Sequence, residues 1–100
     1  MLADTEHPRA TERVPYAARL MLVCGESAWF AELHDLSPGG CGIFRPEGCM
    51  LESDEIVRLF FYYRDNAPAV IVAGRVARVT ATQIGIEYHE MQAIPPGAPA

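Results

Sequence analysis

Lysine is absent from this chain of 100 residues: all eight cationic side chains are arginines, set against thirteen Asp and Glu, for a formal net charge of −5 and a pI near 5.0. A protein held on DNA mainly by phosphate neutralisation needs a broad basic face, so DNA is excluded as the main partner, while a small anionic ligand is not. Arginine supplies the planar fork that grips phosphates and guanine edges, although codon usage would give the same bias. Long apolar runs are also missing. None approaches the roughly 18 to 20 residues that span a bilayer, and Met1 to Arg9 lacks the apolar centre of a signal peptide, so no membrane insertion and a cytoplasmic location are expected. Cysteine is sparse: Cys24, Cys41 and Cys49 form no CxxC pair and read as reduced, buried fillers. His7, His34 and His89 stand far apart with no HxxxH spacing, which leaves a metal site without support. Ser37 lies in a Pro/Gly turn that is not GxSxG, and no nucleophile–base pair is discernible, so an enzyme is not expected.

Half of the residues are hydrophobic, and a chain of this length buries roughly 60 to 70% of its unfolded surface, enough for one domain with its own core. Residues 1–16 (MLADTEHPRATERVPY) have no sustained apolar period and read as a flexible arm. AARLMLVC (17–24), stopped by Gly25 and Glu26, and AWFAELH (28–34) suggest a hairpin. Ser37-Pro38-Gly39-Gly40 suits a turn and positive φ, before the short apolar piece Cys41 to Phe44. Glu55 to Tyr63 is β-branched and aromatic, with alternate members of Phe60 to Tyr63 expected inside. Ala69 to Val79 alternates, with Gly74 marking a bulge or a close backbone approach, and Gln83 to His89 has the period of two of a half-buried strand. The tail 91–100 (MQAIPPGAPA) accepts neither helix nor central strand and should be disordered or loosely packed. Five or six strands without room for βαβ crossovers imply an antiparallel barrel or sandwich. A small barrel is favoured because closure removes edge strands.

Two constellations stand out. Arg9 and Arg13 lie four apart on the arm, and Asp35-Leu-Ser37-Pro-Gly39-Gly40 follows about twenty residues of hairpin later. Read singly, the first is two solvated charges and the second is a turn in which Asp or Ser bonds backbone amides. His34, beside the second, suits a core or a solvated edge.

Taken together, RxxxR and DxSxxG in this order closely resemble the PilZ domain, a bacterial receptor module for cyclic di-GMP. RVP after the second arginine, DLSPGGCGI at the turn, GRVARV in the long strand and IGIEYHEM at the end match the family's phrasing, so the similarity covers about Arg9 to Glu90. The resemblance implies an all-β, six-stranded antiparallel split barrel over 17–90, with an N-terminal arm (1–16) and one inter-strand loop forming the ligand site. It also implies that Arg9, Arg13, Asp35, Ser37 and Gly40 bind cyclic di-GMP, with no further cofactor. The arginines would take guanine edges or phosphates, Asp35 the guanine N–H donors, and Ser37 a hydrogen bond. Gly40 would permit the tight turn and close approach to the nucleotide. Ordering of the arm would relay binding to a downstream protein partner. The alternative is a PilZ-fold adaptor for motility or pilus assembly that acts without nucleotide. The chain departs from many relatives in Ala10 beside Arg9 and in PPGAPA where they continue into a helix.

Overall fold

The structure is a computed structural model that describes residues 14–15, 19–63 and 68–97. Arg9, Arg13, most of the expected arm, the turn residues 64–67 and the last three residues of the tail lie outside the described residues. Seven strands occur among the described residues: β1 (Val14–Pro15), β2 (Arg19–Cys24), β3 (Ser27–Ser37), β4 (Gly40–Phe44), β5 (Ile56–Phe61), β6 (Val70–Val79) and β7 (Gln83–Tyr88). All pairings are antiparallel, in the order β1-β3-β2-β5-β6-β7-β4, with a further β3–β4 pairing. That last pairing closes β2 to β7 into the six-stranded barrel expected from the family resemblance. Among the described residues there is no helix long and apolar enough to cross a membrane.

Period-two patterning explains the core. Leu20 and Leu22 of β2, Val57, Leu59 and Phe61 of β5 and Ile84, Ile86 and Tyr88 of β7 all point inward and are buried, because successive strand side chains face opposite sides. Each such aliphatic side chain contributes about 1.5 to 3 kcal/mol by leaving water. As anticipated for the aromatic run, Phe61 is inside and Tyr62 is exposed. Cys41 and Cys49 are buried and in no disulfide, while Cys24 is only partly covered. Partial burial, and next the hydrogen bond from Cys24 Sγ to Glu55 Oε1 (3.4 Å), push the Cys24 thiol pKa up.

β3 is the longest strand, with 11 residues, and it serves three neighbours. Its first part pairs with β2, Asp35 and Leu36 pair with Pro15 and Val14, and its other edge carries β4 from Leu33 onward. The strand therefore runs to Ser37, further than its apolar pattern suggests. Gly74 resolves to the close-approach reading, since a Cβ there would lie 2.6 Å from the Glu87 carbonyl oxygen, and the bulge of β6 falls between Val76 and Arg78.

The connection from β4 to β5 crosses one end of the barrel. Arg45 holds it, donating from Nε and Nη2 to the Cys49 carbonyl and from Nη1 to that of Thr80. The tail is irregular, as its prolines require, yet it is anchored as far as it is described. Gln92 N donates to Pro38 O (2.8 Å), Tyr63 Oη donates to Pro96 O (3.0 Å), and Pro96 is buried.

Leu59 has no exposed surface, so Leu59→Ala leaves a cavity in the barrel core and is expected to cost about 2 to 5 kcal/mol. Urea unfolding would read this as a lower midpoint with an unchanged β-sheet spectrum. An unchanged midpoint would contradict the core assigned to β5.

Candidate functional site

The DxSxxG residues converge on the β3–β4 hairpin. Ser37 and Gly40 are directly paired across the two-residue turn Pro38–Gly39, and Ser37, itself buried, donates from Oγ to the Gly40 carbonyl (3.1 Å). The turn is strapped down from the other side, because Tyr88 N donates to Gly39 O and Gln92 N to Pro38 O. Neither Gly39 nor Gly40 has a positive φ, so conformational freedom is not what the turn requires of them. Glycine at 40 is required by proximity: a Cβ there would collide with the Ile86 carbonyl of β7.

Asp35 reaches the outer surface through a bulge. Between Leu33 and Asp35 the register against β4 advances by two residues while β4 advances by one, from Ile43 to Gly42. The extra residue, His34, breaks the alternation, so His34 and Asp35 both face outward while Leu33 and Leu36 remain in the core. The Asp35 carboxylate accepts from Gly42 N at Oδ1 (3.2 Å) and lies 3.0 Å from His34 Nδ1 at Oδ2. That contact makes the protonated Nδ1 the donor, and the His34 ring stands edge-on to Phe44 with centroids 5.1 Å apart. His34 therefore sits on the solvated edge beside the motif. With two oxygens and about four lone-pair sites, the carboxylate retains acceptor capacity.

Across β3, β4, β7 and β6 two rows of paired residues cover the outer face next to this hairpin. One runs Ser37, Gly40, Glu87, Arg75 and the other Asp35, Gly42, Gly85, Arg78. Between them opens a shallow cleft of about 380 Å³, lined among others by Ser37, Gly40, Arg75, Arg78, Gly85 and Glu87. Arg75 bridges Glu87 (2.6 Å) and Asp54 (2.9 Å), so the acidic residue of the cleft is neutralised locally. Gly42 is a site residue that the motif did not include; a Cβ there would stand 3.1 Å from Asp35 Oδ1, in the way of the carboxylate that bonds its amide. The repeated glycine in GGCG was the available signal.

Asp35, Ser37 and Gly40 are thus brought together. Arg9 and Arg13 lie outside the described residues, but β1, which follows Arg13 directly, pairs with Asp35 and Leu36. The model of the PilZ domain matches residues 7–95, and the chain belongs to that family. The barrel is similar to Bacillus subtilis inhibitor of motility MotI/DgrA, with TM-score 0.69 and 18% identity over 88% of this chain and 45% of that one. It is similar also to the PilZ domain of CeSA from a cellulose-synthesizing bacterium, with TM-score 0.67 and 15% identity over 85% and 86% of the two chains. A third likeness is to MrkH of K. pneumonia in its complex with c-di-GMP, with TM-score 0.60 and 14% identity over 90% of this chain and 47% of that one. At these identities the likeness concerns the fold, and this chain spans about half the length of MotI and of MrkH. No curated protein matches the sequence.

Because β7 backbone occupies the space beside Gly40, Gly40→Ala should strain the β4–β7 seam and cost about 1 to 3 kcal/mol, the usual penalty of overpacking. Thermal unfolding is the check; a variant that melts with the wild type would mean that the seam has room the geometry does not give it.

Proposed function

We propose that the protein is a non-enzymatic receptor for cyclic di-GMP, bound between the arm and the β3–β4 hairpin. The observation that carries this reading is the pairing of Val14 and Pro15 with Leu36 and Asp35, which leads the chain from RxxxR directly alongside DxSxxG. Membership of the PilZ family supports it, as does the presence of c-di-GMP in the MrkH complex.

In this reading each residue has a distinct task. Arg9 and Arg13 present forks that suit guanine O6 and N7 or a phosphodiester. Asp35, an acceptor only when ionised, takes the guanine N1–H and N2–H donors. Ser37 gives its proton to Gly40 O, which leaves its lone pairs for the ligand and its side chain as the brace of the turn. Gly40 keeps the hairpin against β7, so the motif is built onto the barrel wall.

Residues 1–16 act as the arm, tied to β3 through β1 (Val14–Pro15), 17–90 as the receptor barrel and 91–100 as the Pro-rich tail. Ligand contacts order the arm across the barrel and so change the surface offered to a downstream protein. Ordering consumes roughly 2 to 5 kcal/mol of the interaction energy, which sets the affinity on the order of micromolar, about −8 kcal/mol. The site is cytoplasmic and needs no cofactor.

A second reading, an adaptor that acts without nucleotide, is favoured by one observation. Phe30, Met21, Phe60 and Ile71 form a paired apolar row across β3, β2, β5 and β6, and Phe30 and Ile71 are 61% and 58% exposed. Such a row suits a protein partner.

Isothermal titration with cyclic di-GMP, against GTP and cyclic di-AMP, separates the two. Specific binding is expected, with Arg9→Ala and Arg13→Ala each weakening it at least tenfold, about 1.4 to 3 kcal/mol, without loss of fold. Wild-type protein that takes up no cyclic di-GMP would move the function to the adaptor.

A further inference from the structure

Three glycines lie close to the cleft or its far side, and their surroundings differ. At Gly40 and Gly74 a backbone carbonyl of β7 fills the space where a Cβ would go, so packing accounts for both. Gly85 is different: its Cβ would meet only Arg78 Cβ, at an ordinary 3.8 Å. It has no positive φ, and glycine weakens the middle of a strand. Neither neighbouring backbone nor conformation explains it. What glycine does here is lower the floor of the outer face. Gly85 pairs with Gly42 on one side and Arg78 on the other, so between the Asp35 carboxylate and the Arg78 guanidinium two consecutive positions carry no side chain.

Arg78 owes its place there to the second bulge. On β6 the register advances from Val76 to Arg78 while β7 advances only from Ile86 to Gly85. The inserted Ala77 turns Arg78 outward, and both residues are exposed. Arg75 is held by Asp54 and Glu87, whereas Arg78 has no ion-pair or hydrogen-bond partner among the described residues. A trough results with an acceptor at one end, an unengaged planar cation at the other and a bare floor between. Three strand spacings separate the backbones of Asp35 and Arg78, roughly 14 Å along the sheet. That span is too wide for one base touching both backbones, and it suits a flat ligand bearing two recognition groups, one rich in N–H donors and one offering acceptor edges or a phosphate.

We infer that Arg78 is a further ligand-contacting residue, which grips the part of the dinucleotide distal to Asp35 across the floor made by Gly42 and Gly85. This rests on the reading of the site as a cyclic di-GMP receptor and assigns the residue that holds the far half of the ligand. The arrangement also selects by shape, because the floor accepts a molecule lying flat on the sheet.

The test is titration of cyclic di-GMP into wild-type protein, Arg78→Ala, Gly85→Val and Arg58→Ala, with thermal unfolding of each. Valine suits a strand, and a Cβ at Gly85 meets only Arg78 Cβ at an ordinary 3.8 Å, so Gly85→Val is expected to fold and to fill the floor. Arg58, exposed on the outer face of β5 between Val23 and Ala73, removes the same charge away from the trough. Arg78→Ala and Gly85→Val should each weaken binding at least tenfold at an undiminished melting temperature, while Arg58→Ala binds as the wild type does. Wild-type binding that survives unchanged in Arg78→Ala, or is lost equally in Arg58→Ala, overturns this inference alone. Absence of binding by the wild type overturns the receptor reading and the role of Arg78 with it.

Discussion

Everything on the outer face of this barrel depends on strict alternation along β-strands and on the two places where it is broken. A strand without a bulge sends every second side chain inward. Given Leu33 inside, Asp35 would enter the core, and given Val76 inside, so would Arg78. Burying either charge unpaired costs far more than the barrel could offset. The bulges at His34 and Ala77 avoid that outcome and send both charges to the same four-stranded surface. Core residues on either side keep their inward places: Leu36 follows Asp35, and Ile84 meets Val79 across the seam.

Closure and site are one construction. The β3–β4 pairing completes the barrel, and the tight approach at Gly40 is where the motif hairpin meets β7. Ser37 braces the turn from one side while the backbone of residues 88 and 92 holds it from the other. The motif hairpin is thereby fixed to the barrel wall on both of its sides.

Electrostatics make the same point. An acidic chain is a poor general binder of anions, so any attraction it exerts on an anionic group has to be local. Arg75 neutralises Glu87 and Asp54 near the cleft, Arg45 is committed to two backbone carbonyls at the barrel end, and Arg78 is left to face solvent. Phe30 and Ile71, the exposed ends of the apolar row through Met21 and Phe60, give the molecule a second, apolar face.

The strands were legible from the sequence because burial on one face imposes a period of two, and Leu20 and Leu22 or Ile84, Ile86 and Tyr88 display it without interruption. The turn at Pro38–Gly39, the aromatic alternation through Phe61 and the grouping of Asp35, Ser37 and Gly40 follow from the same local chemistry, helped by the family's phrasing. Three things were not legible. The bulges leave no unambiguous local mark, since His34 and Ala77 are ordinary strand residues, and so the outward turn of Arg78 was hidden. The reason for glycine at 40 lay in β7, some forty-five residues further on. The anchoring of the tail depended on Tyr63 and Pro38, which no local pattern connects to it. The sequence by itself determined which segments become the strands of the barrel and which residues bring charge and hydrogen-bonding groups, because propensity and polarity are properties of the residues themselves. Only the tertiary structure decided which of those residues share a surface, because register, bulges and closure are set by partners distant along the chain.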